Sequence, residues 1–128
     1  QPAVTPAPRV AGANVDNLSA LTVNGYRLNL VRSPTQALAM LRRRFYPLVI
    51  TELSLPEMDG IQFCRSIRTF NTISVVYAVS AHLGRFDART LEEAGFDGFL
   101  DKPCRSQTLR RAVEGAFEND RVRSAVAS

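Results

Sequence analysis

Pro47-Leu-Val-Ile-Thr-Glu-Leu-Ser-Leu-Pro-Glu-Met-Asp-Gly60 is the stretch on which the fold turns. Its first part, Leu48-Val-Ile-Thr51, is a short apolar run suited to a central strand buried on both faces of a sheet. Its end runs into Asp59-Gly-Ile-Gln62, a helix start with Asp59 as cap and Gln62 three residues later. The helix that follows has Ile61, Cys64, Ile67 and Phe70 available for burial.

The same strand-then-helix logic repeats on either side. Upstream, Tyr26-Arg-Leu-Asn-Leu-Val31 reads as a strand. Ser33-Pro-Thr-Gln36 then starts a helix, with Ser33 as cap and Pro34 at the first helical position. That helix is expected to bury Leu38, Leu41 and Phe45 and to end at Pro47. Downstream, Ser74–Val79 is the most β-rich stretch of the chain. A helix over about Arg85–Ala94 closes at Gly95, the usual left-handed end residue. Phe99-Leu100 reads as a short buried strand. A last helix, from a Ser106 cap to about Glu118, carries Leu109, Ala112, Val113, Ala116 and Phe117 along one face. Strands and helices in alternation predict an α/β fold with a parallel sheet.

Before Tyr26 two readings stand side by side. Arg9–Ala13 forms a first strand, and Asp16 caps a helix through Leu18 and Leu21 to Val23; or Leu21–Leu28 forms a hairpin turning at Asn24-Gly25. The helix is preferred because right-handed βαβ crossovers account for everything downstream.

The 128 residues amount to one domain, and 45% hydrophobic with 22% charged residues is an ordinary globular balance. No apolar run approaches the ~18 residues that cross a bilayer. The opening Gln-Pro-Ala-Val-Thr-Pro-Ala-Pro has no signal-peptide pattern and reads as the end of a linker, so residues 1–8 are assigned to a linker, 9–118 to the domain and 119–128 to a tail or helix extension. Cys64 and Cys104 form no CxxC pair, and with one histidine a zinc site is not expected; reduced thiols in a cytoplasmic domain are. The net charge of +4 gathers at Arg42-Arg43-Arg44, at Arg105, Arg110 and Arg111, and at Arg121 and Arg123. No aromatic residues interleave with these clusters as stacking platforms, so a surface facing a protein partner is expected, and direct nucleic-acid binding is not.

The Pro47–Gly60 stretch closely resembles the third strand and following loop of the receiver domains of two-component response regulators. In that family the pattern is a buried strand, the phosphoacceptor Asp, three residues, Pro, and an acidic-Gly helix start. Counting back from Pro56 puts Glu52 at the acceptor position. Ser80-Ala81 looks like the family's Thr/Ser-Ala, Lys102-Pro103 like its Lys-Pro, and Phe99 falls at its aromatic switch position. The resemblance covers about Arg9–Phe117. It implies a doubly wound, five-stranded parallel sheet with helices on both faces, the flavodoxin-like receiver fold, here with the first helix about one turn short.

In the family, a carboxylate can attack a phosphoryl group only when Mg²⁺ neutralises the developing charge. That ion is held by the acceptor Asp and an acidic pair ending the first strand, while the Lys and the Thr/Ser hydroxyl contact the phosphoryl oxygens. This sequence departs from the pattern. Alignment places Gly12 and Ala13 where the acidic pair belongs, and the acceptor is Glu. Loss of Mg²⁺ binding is expected, with no cofactor in its place. Glu52 alone facing Lys102 sums to zero charge without a metal, so a direct Glu52–Lys102 contact is expected, with Ser80 in hydrogen-bonding reach.

The expected function is therefore a non-enzymatic, phosphorylation-independent pseudo-receiver, cut from a larger multidomain protein and acting by binding a protein partner or a second copy. By resemblance the binding face is that of the fourth helix, fifth strand and fifth helix, here about Arg85–Ala94, Phe99–Asp101 and Gln107–Phe117. Its contact residues would be Arg85, Arg89, Phe99, Arg110 and Arg111, and its switch residues Ser80 and Phe99. The alternative is an active receiver that takes a phosphoryl group from a histidine kinase on an acidic residue at the strand end, with Asp16 as a metal ligand. A small-molecule binder has little support, because no Gly-rich phosphate loop follows any predicted strand.

Overall fold

In a computed structural model, the described residues are 9–13, 15, 25–102 and 105–127. They form β1 (Arg9–Ala13), β2 (Arg27–Val31), α1 (Pro34–Arg43), β3 (Leu48–Glu52), α2 (Gly60–Arg68) and β4 (Val75–Ser80). A 3₁₀ turn (Leu83–Arg85), α3 (Ala88–Ala94), β5 (Gly98–Asp101), α4 (Ser106–Glu118) and α5 (Asp120–Ala127) follow. The five strands are all parallel, in the order β2-β1-β3-β4-β5. The chain order reverses between β1 and β3, which opens a crevice beyond their carboxyl ends.

Strand alternation sorts the core into two layers. Ala11, Ala13, Val49, Val76 and Ala78 face Ala37 and Leu41 of α1, Phe63, Cys64 and Ile67 of α2, and Leu91 and Ala94 of α3. Val10, Leu48, Ile50, Val75 and Val79 face Leu109, Val113 and Ala116 of α4 and Val122 of α5. β3 is buried at all five positions, as its apolar run predicts. Each fully buried Leu, Ile or Phe contributes ~1.5–3 kcal/mol relative to exposure.

The capping signals act as read. The Ser33 hydroxyl accepts from the Gln36 N–H with Pro34 as the first helical residue, and the Asp59 carboxylate accepts from the Gln62 N–H at 2.7 Å. Gly95 adopts φ 110° where α3 ends.

Several details differ. Phe45 and Phe70 lie beyond the ends of α1 and α2 and are exposed, because each apolar stripe continues in sequence for a turn after the helix has stopped. The expected Arg85–Ala94 helix is broken: the 3₁₀ turn ends at Arg85, Phe86 is extended, and the Asp87 carboxylate caps a shorter helix by accepting from the Arg89 N–H. Phe99 and Leu100 are half-buried, since β5 is an edge strand. Arg105, in extended conformation, precedes α4 at the cap position, and Ser106 is its first helical residue. After an extended Asn119, residues 120–127 form the separate helix α5, and Val122 is 1% exposed against the sheet. The helix expected from Asp16 to Val23, and so the shortened first helix, falls outside the described residues, as does the first arm, Leu21–Asn24, of the alternative Leu21–Leu28 hairpin.

Candidate functional site

β3 delivers Glu52 to the crevice at its last residue, and β4 delivers Ser80 in the same way. Lys102 directly follows β5, where its N–H donates to the Ser80 carbonyl at 3.0 Å. The Glu52 side chain, 12% exposed, is held from two sides. Oε2 lies 2.5 Å from Lys102 Nζ. Oε1 accepts from the Leu53 and Ser54 amides at 3.2 and 3.4 Å. The contact expected from charge balance is present. Lys102 is the chain's single lysine among fifteen arginines.

Ser80 is brought to this corner but is engaged elsewhere. Its buried hydroxyl accepts from the His82 N–H at 3.0 Å, and no hydrogen bond joins it to Glu52 among the described residues. Ser80 was expected within hydrogen-bonding reach of the pair; the turn after β4 takes up its oxygen. Gly12 and Ala13 end β1 beside the site, with Ala13 paired to Thr51. Neither has a side-chain donor atom, and no group of three His, Cys, Asp or Glu residues suited to a metal occurs among the described residues. Asp16 and Pro103 lie outside the described residues.

Gly60 lets the N-terminus of α2 close onto the strand end. Its N–H donates to the Leu53 carbonyl at 2.8 Å, and an added Cβ would stand 2.7 Å from Leu53 Cα and 2.8 Å from the Glu52 oxygen. Both obstacles are backbone, so neither can step aside.

The role of Glu57 was not read from the sequence. This residue sits in the loop between β3 and α2 at φ 68°, a conformation costly for a non-glycine residue. Its carboxylate accepts from the Ser33 and Thr35 hydroxyls, both at 2.6 Å, across the first turn of α1. These two hydrogen bonds hold its pKa below the ordinary carboxylate value. The one available signal was a charged residue directly after Pro56 in a short loop.

The remaining named residues are not gathered at the crevice. Arg85, Arg89, Arg110 and Arg111 are exposed on α4, α3 and the 3₁₀ turn, and Arg89 pairs with Glu93 one helical turn on, at 3.4 Å. Phe99 packs half-buried against the α1–α3 side of the core. At the opposite end of the sheet, Asp97 accepts from Arg68 and Arg121 at 2.9 Å each and from the Val76 N–H at 2.9 Å. This cluster ties α2, α5 and the start of β4 together.

A five-stranded parallel sheet of this order, with a carboxylate, a hydroxyl and a lysine at the ends of β3, β4 and β5, defines the receiver class of signalling domain. Residues 14–114 match the family model of the response regulator receiver domain, and the chain belongs to that family. It is 33% identical over 94 residues, 70% of the chain, to sensor histidine kinase AruS of Pseudomonas aeruginosa, covering 9% of that protein. It is 33% identical over 98 residues, 77% of the chain, to transcriptional regulatory protein GlrR of Escherichia coli K12, covering 22% of it. The chain thus spans less than a quarter of either relative. A CheY-like receiver domain from Methylobacillus flagellatus superposes with TM-score 0.74 at 24% identity, covering 86% of this chain and 98% of that one. A two-component response regulator from Clostridium difficile reaches 0.78 at 18% identity, covering 88% and 97%. These likenesses show the fold. No helix among the described residues is long and apolar enough to cross a membrane.

Proposed function

We propose that this receiver domain works without phosphorylation, as a pseudo-receiver that regulates by binding a protein partner within a larger signalling protein. The observation that carries this reading is the Glu52 carboxylate, closed between Lys102 Nζ and two backbone amides. Phosphoryl transfer would need that carboxylate free to attack and a divalent ion to offset the negative charge that accumulates. Glu52 is instead neutralised by Lys102. Gly12 and Ala13 beside it carry no donor side chain, and no group of three His, Cys, Asp or Glu residues suited to a metal occurs among the described residues, which supports a site that works without Mg²⁺.

The paired carboxylate supports a permanent, partial likeness to the phosphorylated state. An anion stands beyond the strand end with the family's lysine upon it, carrying one negative charge where a phosphoryl group carries about two. Output would then pass through the exposed Arg85, Arg89, Arg110 and Arg111 and the half-buried Phe99. Those cations suit an acidic partner surface.

The test is incubation with acetyl phosphate, and separately with beryllofluoride, in the presence of Mg²⁺. Mass spectrometry is expected to show no phosphoryl adduct, and a Mg²⁺ titration no saturable shift. A stoichiometric adduct on an acidic residue would establish the active-receiver alternative.

A further inference from the structure

We infer a second docking surface, at the end of the sheet opposite Glu52, which takes an acidic segment of a partner protein that also presents a bulky apolar side chain. Two independent features coincide there. Phe45, Phe70 and Ile73 are 37%, 37% and 38% exposed, and they are three of the four large hydrophobic residues exposed among the described residues. Beside them runs Arg42-Arg43-Arg44, where α1 ends. None of these arginines makes an ion pair with a carboxylate among the described residues.

The surface has shape as well as composition. Leu41, Phe45, Phe70 and Ile73 help line a hollow of about 360 Å³ at the arginine run. Ala39, Met40 and Tyr46 help line a second, of about 370 Å³. Arg43 and Arg44 border both hollows, and no acidic residue lines either one. A partner chain crossing this surface can place carboxylates on the two shared guanidiniums, which recognise them in bidentate fashion, and an apolar side chain in a hollow beside them.

A helix C-terminus attracts cations on its own, which accounts for arginines here but not for the exposed aromatic residues beside them. Nucleic acid fits less well. The Phe70 ring is covered by the Arg42 guanidinium, 4.8 Å from its centroid, so that face is taken. Three adjacent cations also make a spot, whereas a sugar-phosphate backbone needs a track. The surface is separate from the Arg85, Arg89, Arg110 and Arg111 face, so the two can be tested apart.

The experiment pans a random-peptide display library against the whole chain and measures the recovered peptides by fluorescence anisotropy. Peptides with at least two carboxylates flanking a Leu or Phe are expected. Their affinity should fall about tenfold or more in Arg43→Glu/Arg44→Glu, and should weaken as salt screens the pairing. It should be unchanged in Arg110→Glu/Arg111→Glu. Circular dichroism of each variant confirms that it is folded, and Phe70→Ser supplies a second lesion that leaves the charges intact. The inference is overturned if no such peptide is enriched, or if binding ignores both lesions. It is equally overturned if an oligothymidine binds more tightly through the same arginines, or if sedimentation shows that charge reversal there breaks a dimer of the chain.

Discussion

Replacing Lys102 by methionine isolates the ion pair at the centre of the site. The change keeps most of the side chain's length and apolar stem while removing its charge, so Glu52 is left with only the Leu53 and Ser54 amides. Two unit charges about 4 Å apart attract by ~4 kcal/mol at an effective dielectric near 20. Lys102 is 32% exposed, so solvent screens part of that attraction, and a loss of about 2–3 kcal/mol is expected from Lys102→Met. In a domain of this size that lowers the melting temperature by roughly 8–12 °C. Glu52→Gln with Lys102→Met removes both charges, and the Gln carbonyl can still accept from the two amides. The double variant should therefore recover to within about 1 kcal/mol of the parent, because two matched neutral groups replace a stranded anion. Urea unfolding followed by far-ultraviolet circular dichroism reads all four corners of the cycle. A loss under about 0.5 kcal/mol for Lys102→Met, or a double variant no more stable than the single, would refute the pairing as an energetic feature.

Asp97→Ala removes the carboxylate from Arg68 and Arg121, which keep the Gly95, Asn71, Ser74 and Ile73 carbonyls, and leaves the Val76 N–H without its acceptor; it should cost about 1–3 kcal/mol by urea unfolding. Arg121→Gln should cost less in that background than in the parent, because Arg121 then holds only the Ile73 and Ser74 carbonyls; a fully additive loss would contradict the shared cluster. Glu57 has a folded pKa below its unfolded value of 4.5, so its contribution is complete above that value and disappears as pH falls through the lowered folded value. Melting curves of the parent and Glu57→Gln should thus differ near neutrality and converge in acid; a gap that is unchanged by acid would contradict this. Cys64 is fully buried, and burial pushes its thiol up to about 12, leaving about one part in ten thousand as thiolate at pH 8. In a Cys104→Ser background, iodoacetamide should label the chain only across its urea transition; rapid labelling of the native protein would show the site to be open.

The strands, the starts of α1 and α2 and the end of α3 were legible because their signals are local. Ser33 with Pro34, Asp59 with Gln62, and Gly95 each act within one turn, and the Leu48–Ile50 run states its burial outright. The Glu52–Lys102 contact was legible for another reason: the motif register set both residues at strand ends, and charge balance required a partner for each. The ends of α1 and α2 were harder to read, since apolar spacing says which face is buried but not where the hydrogen-bonded ladder stops. Phe45 and Phe70 show the error directly. The two polar clusters were invisible. Arg68 and Asp97 are 29 residues apart, Asp97 and Arg121 24, and Glu57 reaches back 24 residues to Ser33. Pairs at that range are set by the sheet's topology and leave no local pattern. Ser80 was placed at its strand end, but the use of its hydroxyl by the turn at His82 left no sign in the sequence.

The segment from Glu52 to Glu57 works as a tie-bar across the mouth of the crevice. One carboxylate grips the lysine after β5, and five residues later another grips the threshold of α1 on the far bank. A tug on either bank is handed through this short span to the other before any strand needs to bend. A molecule that pries one grip loose would therefore slacken both sides of the cleft at once.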